Sequence, residues 1–253
     1  MTPAPGSPDP ERSSDDTPSV SSILEHGVMD VHGRIAGSSN ATLLVTCTLD
    51  GEDLLAVYKP GRGERPLWDF PAGLYRREVA AYVVSELVGW HLVPETVVRT
   101  EGPYGPGSVQ RFVPTDGTSH YFNLVDDPER HETLRTLAAF DVVTNNADRK
   151  SGHVLLAEGR IWAIDHGLSF HCDEKLRTVI WDFAGTPLPP SVQSDLERLL
   201  GSTRTRLDDA LSGLLERIER KALWARIEGL VAAGHLPAPD TDREWPPYPW
   251  PLV

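Results

Sequence analysis

Cysteine is scarce in this chain of 253 residues, which has two, Cys47 and Cys172, far apart and in no metal-ligand spacing. They make no disulfide framework and no paired-cysteine zinc site, and are expected as reduced thiols in a cytoplasm. Long apolar runs are missing too, with nothing near the roughly 18 residues that a membrane-spanning helix needs. The first residues hold no basic region leading into an apolar one, so no signal peptide is expected. Positive charge is in short supply: 24 Lys and Arg stand against 37 Asp and Glu, a formal net charge of −13. No basic run offsets that balance, which speaks against nucleic-acid partners and against work at an anionic membrane surface.

What is present changes character along the chain. Residues 1–20, rich in Pro, Ser and Asp, carry too little apolar surface to offset the entropy of ordering and are expected as a disordered tail. Residues 21–114 read mainly as strands: Val28 to Ile35, Ala41 to Cys47 after a Gly37-Ser38-Ser39-Asn40 turn, Leu54 to Lys59 after Asp50-Gly51, then Val97 to Arg99 and Gly107 to Val113. One helix interrupts them, Tyr75 to Gly89, with Val79, Tyr82, Val83 and Leu87 at helical spacing. After Pro114 the signals turn helical, in Glu129 to Thr144, Val192 to Leu200 and Arg204 to Ala233. Residues 236–253, rich in Pro and carrying Trp245, Tyr248 and Trp250, cannot be helical and are expected to cross a surface groove. The expected class is α+β, in two lobes: a β-rich N-lobe of residues 21–114 and a mainly helical C-lobe of residues 115–235.

The stretch from Thr144 to Phe170 carries the chemistry. It places Asp148 before one short strand, Val154 to Leu156, and Asp165 after a second, Ile161 to Ile164, with Glu158-Gly159 turning between them. Such a hairpin brings Asp148, His153 and Asp165 to one mouth. Two carboxylates and a third polar group there suit Mg²⁺ bridging to phosphate, because Mg²⁺ takes oxygen ligands and usually one or two from carboxylates. Singly, either aspartate reads as a turn residue; the set is what points to a site.

The runs Asn146-Ala147-Asp148-Arg149-Lys150-Ser151-Gly152-His153 and Ile164-Asp165-His166-Gly167-Leu168 resemble the catalytic and metal-binding loops of atypical kinases, nearest to the phosphatidylinositol 3-/4-kinase and HipA-type groups. The chain as a whole is similar to an actinobacterial family related to those lipid kinases. The resemblance implies a two-lobed kinase-like fold, ATP, and Mg²⁺ or Mn²⁺. It makes Asp148 the catalytic aspartate, Asp165 the metal ligand, and Arg149 or Lys150 the neutraliser of the γ-phosphate. Where those families carry Asn, this chain has His153, either a metal ligand favouring Mn²⁺ or a brace for a neighbouring carboxylate. Asn145 and Asn146 are expected to brace the loop.

In such a lobe Lys59 contacts the α- and β-phosphates and Glu78, in Arg77-Glu78-Val79-Ala80-Ala81-Tyr82, is its partner. Without that company, a lysine closing a strand is an ordinary edge residue and Glu78 a solvated charge near a helix start. The turn Gly37-Ser38-Ser39 is expected over the phosphates, and the backbone of Arg111, Phe112 and Val113 at the adenine. The loop from Gly61 to Phe70, dense in Gly and Arg, either touches phosphate or substrate or simply packs.

The reading is therefore an ATP-dependent phosphotransferase with an unassigned hydroxyl acceptor on a protein, small molecule or lipid. Two other classes stay open: a nucleotide-binding pseudokinase acting as a regulatory module, and a metal hydrolase using His153, Asp165, His166, His171 and Cys172. Metal bound without nucleotide marks the hydrolase, and nucleotide binding without turnover marks the module.

Overall fold

The computed structural model describes residues 17–35, 40–242 and 245–252; of the expected tail of residues 1–20, residues 1–16 lie outside them, as does the turn Gly37-Ser38-Ser39, while Ser19 caps the first helix and Val20 begins it. The described chain opens with a helix where strands were expected, α1 (Val20–His26), started by the Ser19 hydroxyl accepting from the Ser22 amide. Only Ile23 and Leu24 of this short helix are buried, too few to show a helical period in sequence.

Five strands follow, β1 (Val28–Arg34), β2 (Leu43–Leu49), β3 (Glu52–Pro60), β4 (Thr96–Arg99) and β5 (Gly107–Arg111). They form one antiparallel sheet in the order β1-β2-β3-β5-β4. Asp50 and Gly51 join β2 to β3 with φ of 52° and 86°, the left-handed pair that a tight hairpin of this twist requires. Alternation sorts the two faces. Val45, Cys47, Ala56, Tyr58, Val97 and Val109 pack under Ile23 and Leu24 of α1, leaving Lys59 on the other face. Between β3 and β4 runs α2 (Leu74–Val88), stopped by Gly89 at φ 89°. It packs on β4 and β5 and also on helices of the second lobe.

That lobe holds α3 (Tyr121–Leu124), α4 (His131–Thr144), the hairpin β6 (Val154–Ala157) and β7 (Arg160–Ala163), then α5 (Pro190–Leu200), α6 (Arg204–Leu211) and α7 (Arg217–Ala233). The single helix expected from Arg204 to Ala233 is two. Ser212 and Gly213 break it, and α7 restarts with the Glu216 amide donating to the Glu219 carboxylate at 2.9 Å. The apolar spacing runs on across the break and so hides it. No described helix is long and apolar enough to cross a membrane. The described residues after Leu236 form no helix. They cross the surface, where the Pro247 carbonyl accepts from Thr178 N and Trp181 Nε1 and the Leu252 carbonyl from Ser151 N at 2.8 Å.

The lobe is knotted together near the end of α4. Asp141 and Arg149 have no exposed side-chain surface. One Asp141 oxygen accepts from Arg149 Nη2 at 2.9 Å, Arg149 Nε at 3.1 Å and Asn146 Nδ2 at 3.1 Å; the other accepts from Thr178 Oγ1 at 3.0 Å. Arg149 Nη1 reaches the Ile164 carbonyl at 2.9 Å, tying in the residue just past β7. Removing one partner of such a pair strands a buried charge. Asp141→Ala is expected to cost about 3–5 kcal/mol of stability in urea denaturation; a loss under about 1 kcal/mol would show that the guanidinium is satisfied without it.

Candidate active site

The cleft between sheet and helical lobe contains a cavity of about 240 Å³ with Lys59, Glu78, Asp148 and Asp165 in its wall. Lys59 comes from the end of β3, held extended by Pro60. Its ammonium makes a short ion pair with Glu78 and a second, at 2.9 Å, with Asp165 Oδ1. Glu78 is buried on α2, and its other oxygen accepts the backbone N–H of His166 at 2.8 Å. Burial works against the charge on Lys59, but Asp165 and Glu78 more than offset it and raise its pKa. Asp165 is the clearest response: Lys59 first, and His153 after it, hold its carboxyl far below the usual carboxylate range. It is therefore ionised throughout. It sits at φ 61°, a left-handed turn that Asp tolerates better than most residues.

Asp148 has the opposite character. Burial raises its pKa and the nearby charge of Asp165 adds to that, against the pull of Lys150, whose ammonium lies 2.8 Å from Asp148 Oδ2. Its loop is fixed from several sides. Asn146 Oδ1 accepts the Asp148 amide at 3.0 Å, the Ala147 amide donates to the Leu168 carbonyl, and the Arg149 amide to the Arg177 carbonyl. Asn145 spans the loop to His171, Asp173 and Lys175. Both asparagines thus brace the loop, as expected.

His153 lies 3.5 Å from Asp165 Oδ2 through Nε2, while its Nδ1 faces the Lys150 amide at 3.4 Å. Burial, opposed by Asp165, pushes its pKa down to about 4, so the ring is neutral at ordinary pH. With Nδ1 accepting, the ring proton is on Nε2 and points at Asp165. His166 is also neutral, its pKa lowered by burial and by Arg149, and its Nε2 accepts from Arg149 Nη2 at 2.7 Å.

Two expectations differ from the structure. Arg149, expected at the γ-phosphate, is fully buried and saturated by Asp141, Ile164 and His166, so it holds the loop and does not reach the cleft. Arg111, Phe112 and Val113 do not line the cavity. The Arg111 amide donates to the Glu95 carbonyl and that of Phe112 to the Leu55 carbonyl, both as sheet bonds. The Arg111 guanidinium bridges Glu95 and Glu158 over the Trp162 ring, and Val113 packs on Ala157 and Trp162. Gly37, Ser38 and Ser39 fall outside the described residues. Of the hydrolase set, His171 and Cys172 group with Asp173, ligand atoms within 4.8 Å, and neither Asp165 nor His153 belongs to that group.

The loop from Gly61 to Phe70 contributes what sequence spacing does not show. Arg65 lines the cavity. Glu64 accepts the Gly73 and Tyr75 amides, each at 2.8 Å, and so caps the start of α2 and sets the height of Glu78. An acid ten residues before a helical pattern is not a recognisable cap, because the loop has to fold back first.

No protein-family model matches the chain. Three solved structures share its fold: the Golgi casein kinase (17% identity, TM-score 0.56, 83% of this chain and 73% of that one), hydra Fam20 with sugar (15%, 0.57, 83% and 86%) and the Helicobacter pylori proinflammatory kinase CtkA (12%, 0.52, 84% and 94%). The architecture is therefore that of the atypical kinases, with a β-rich and a helical lobe as expected. In sequence the chain is 37% identical to protein Rv2133c of Mycobacterium tuberculosis, across 90% of its own length and 94% of that protein. The chain belongs to the family of Rv2133c.

Proposed function

We propose that this protein is an ATP-dependent phosphotransferase that moves the γ-phosphoryl group to a hydroxyl acceptor. The observation that carries the reading is the continuous chain of contacts from Glu78 through Lys59 to Asp165, in a cavity whose wall also holds Asp148. Phosphoryl transfer needs positioning and charge neutralisation, and this set supplies both. Lys59 holds the nucleotide phosphates. Asp148, its pKa raised by burial, takes the acceptor proton. The acceptor oxygen bonds to the γ-phosphorus as the bond to the bridging oxygen breaks, and ADP leaves. Lys150, paired with Asp148, is the cation assigned to the γ-phosphate.

Asp165 fits a divalent cation: it is half-exposed, ionised and open to the cavity. The metal supplies neutralisation of phosphate charge. A structure of the Golgi casein kinase holds Mn and ADP, which supports a nucleotide with a divalent metal here. His153 is best read as the brace that aims Asp165, since its Nε2 proton points at that carboxylate. The resemblance to phosphatidylinositol 3-/4-kinases and HipA supports the roles of Lys59, Glu78, Asp148 and Asp165, not that of His153.

Lys59→Ala and Glu78→Ala are expected to weaken ATP binding about tenfold or more, read by calorimetry on the full chain. Unchanged affinity in both would sink the nucleotide assignment. Asp148→Asn is expected to keep ATP and metal while transfer drops about 10²–10⁴-fold, whereas Asp165→Asn loses the metal dependence of binding. Indistinguishable defects in the two would show the roles to be wrongly divided, and ATP binding without any turnover in the parent protein would favour the regulatory module.

The burial of His153 has its own signature in the metal-free protein. Its folded pKa of about 4 lies below the ordinary 6.5, so between those values the unfolded chain takes up a proton that the folded one refuses. Its contribution is thus neutral above pH 6.5 and stability is lost as pH falls toward 4. At pH 4.5 the loss is on the order of 2–3 kcal/mol. His153→Asn is expected to flatten that part of the urea-stability profile; an unchanged slope would place the titration elsewhere.

A further inference from the structure

Beside the cleft lies a second cavity of about 260 Å³, which adjoins the first at Leu67 and Leu168. Its walls come from the loop after β3, the segment after Phe170, and the C-terminal tail. Arg177 in its wall donates to the carbonyl of Ala147 at 2.8 Å, and its charge acts on the next residue, Asp148. The wall of this cavity is therefore fastened to the loop that carries Asp148.

Its lining has a particular chemistry. Trp68 is 84% exposed and Trp245 55% exposed, with ring centroids 6.3 Å apart and planes tilted by 43°. Two large aromatic faces left in water at one cavity are unusual unless something covers them. The charges nearby cancel: Lys175 pairs with Asp69 at 3.2 Å, and Glu174 stands with Arg177 in the same wall. The Lys175 ammonium also lies 5.8 Å from the centre of the Trp68 ring. An anionic occupant finds no surplus of positive charge, and an acyl chain meets four charged groups. A polyhydroxylated ring suits every part: its C–H faces lie on indole, and its hydroxyls accept from Lys175 and Arg177 and donate to Asp69 and Glu174.

We propose that this cavity is the acceptor site and that its occupant is a neutral polyhydroxylated ring, a sugar or a cyclitol. The proposal rests on the phosphotransferase reading above. One ring hydroxyl bonds to the γ-phosphorus of ATP, its proton passes to Asp148, and ADP departs with the electrons of the broken bond.

The test separates binding from transfer. Saturation-transfer NMR on the full chain without nucleotide uses as probes the methyl glycosides of glucose, mannose, xylose and N-acetylglucosamine, and myo-inositol. At least one probe is expected to receive saturation that Trp68→Ala and Trp245→Ala each cut about tenfold. Trp250→Ala, an 88% exposed tryptophan outside the cavity, leaves it unchanged. The same probe then gains phosphate from labelled ATP, and whether it is a glycoside or the inositol identifies the source. No probe dependent on the two tryptophans would overturn the proposal, as would transfer going instead to a serine-peptide library or to phosphatidylinositol vesicles. A probe that binds through both tryptophans to a protein with no affinity for ATP upholds the site and removes the phosphotransferase reading instead.

Discussion

The buried pair of Asp141 and Arg149 is the interaction on which the rest of the site depends. Neither side chain touches the cleft, yet between them they fix the end of α4, the loop carrying Asp148, the segment at Thr178 and the exit of β7 that leads to Asp165. A buried ion pair of this kind gains little net stability over an apolar replacement, but it is costly to break from one side. Its effect is geometric: four separate stretches have to meet one carboxylate and one guanidinium. The loop carrying Asp148 and the exit of β7 toward Asp165 are therefore tied to one buried pair.

On that frame the cleft divides labour by environment. Asp165 faces Lys59 directly and is held ionised, while Asp148 lies deeper among less compensating charge and is pushed the other way. Carboxylates with opposite shifts in one cavity suit different tasks, the one held ionised and the other more ready to hold a proton. The neutral rings of His153 and His166 belong to the same scheme, since a charged imidazole beside Asp165 would compete with Lys59 for it.

Much of this was legible in the chain because it is local. The strand ending at Lys59, the helical pattern holding Glu78 and the hairpin between Asp148 and Asp165 are each set by spacing within fewer than twenty residues, while their union in one site was implied by the resemblance to atypical kinases. What was not legible depends on distant neighbours. Arg149 sits in a loop of polar residues, and nothing nearby says that it turns inward. Its partner Asp141 leaves one trace, an acid in the last turn of α4 on the stripe of Leu134, Leu137 and Ala138. The cavity of Trp68 and Trp245 is assembled from the loop after β3 and the C-terminal tail. Its pattern exists only once the tail has crossed the surface.

The position of Lys59 depends finally on α2, and α2 is fastened on both sides. Glu78 turns toward Lys59 and the His166 amide, while its neighbour Arg77 turns the other way. The Arg77 guanidinium makes a buried ion pair with Glu219 of α7 and donates to the carbonyl of Ser169. Swinging α2 away from the sheet would strand Arg77 and Glu219, each almost without exposed surface, at a cost of several kcal/mol. It would also pull Glu64 off the start of the helix. The Lys59–Glu78 pair is therefore held by contacts that reach across both lobes, so a swing of this helix meets a barrier built from buried charge.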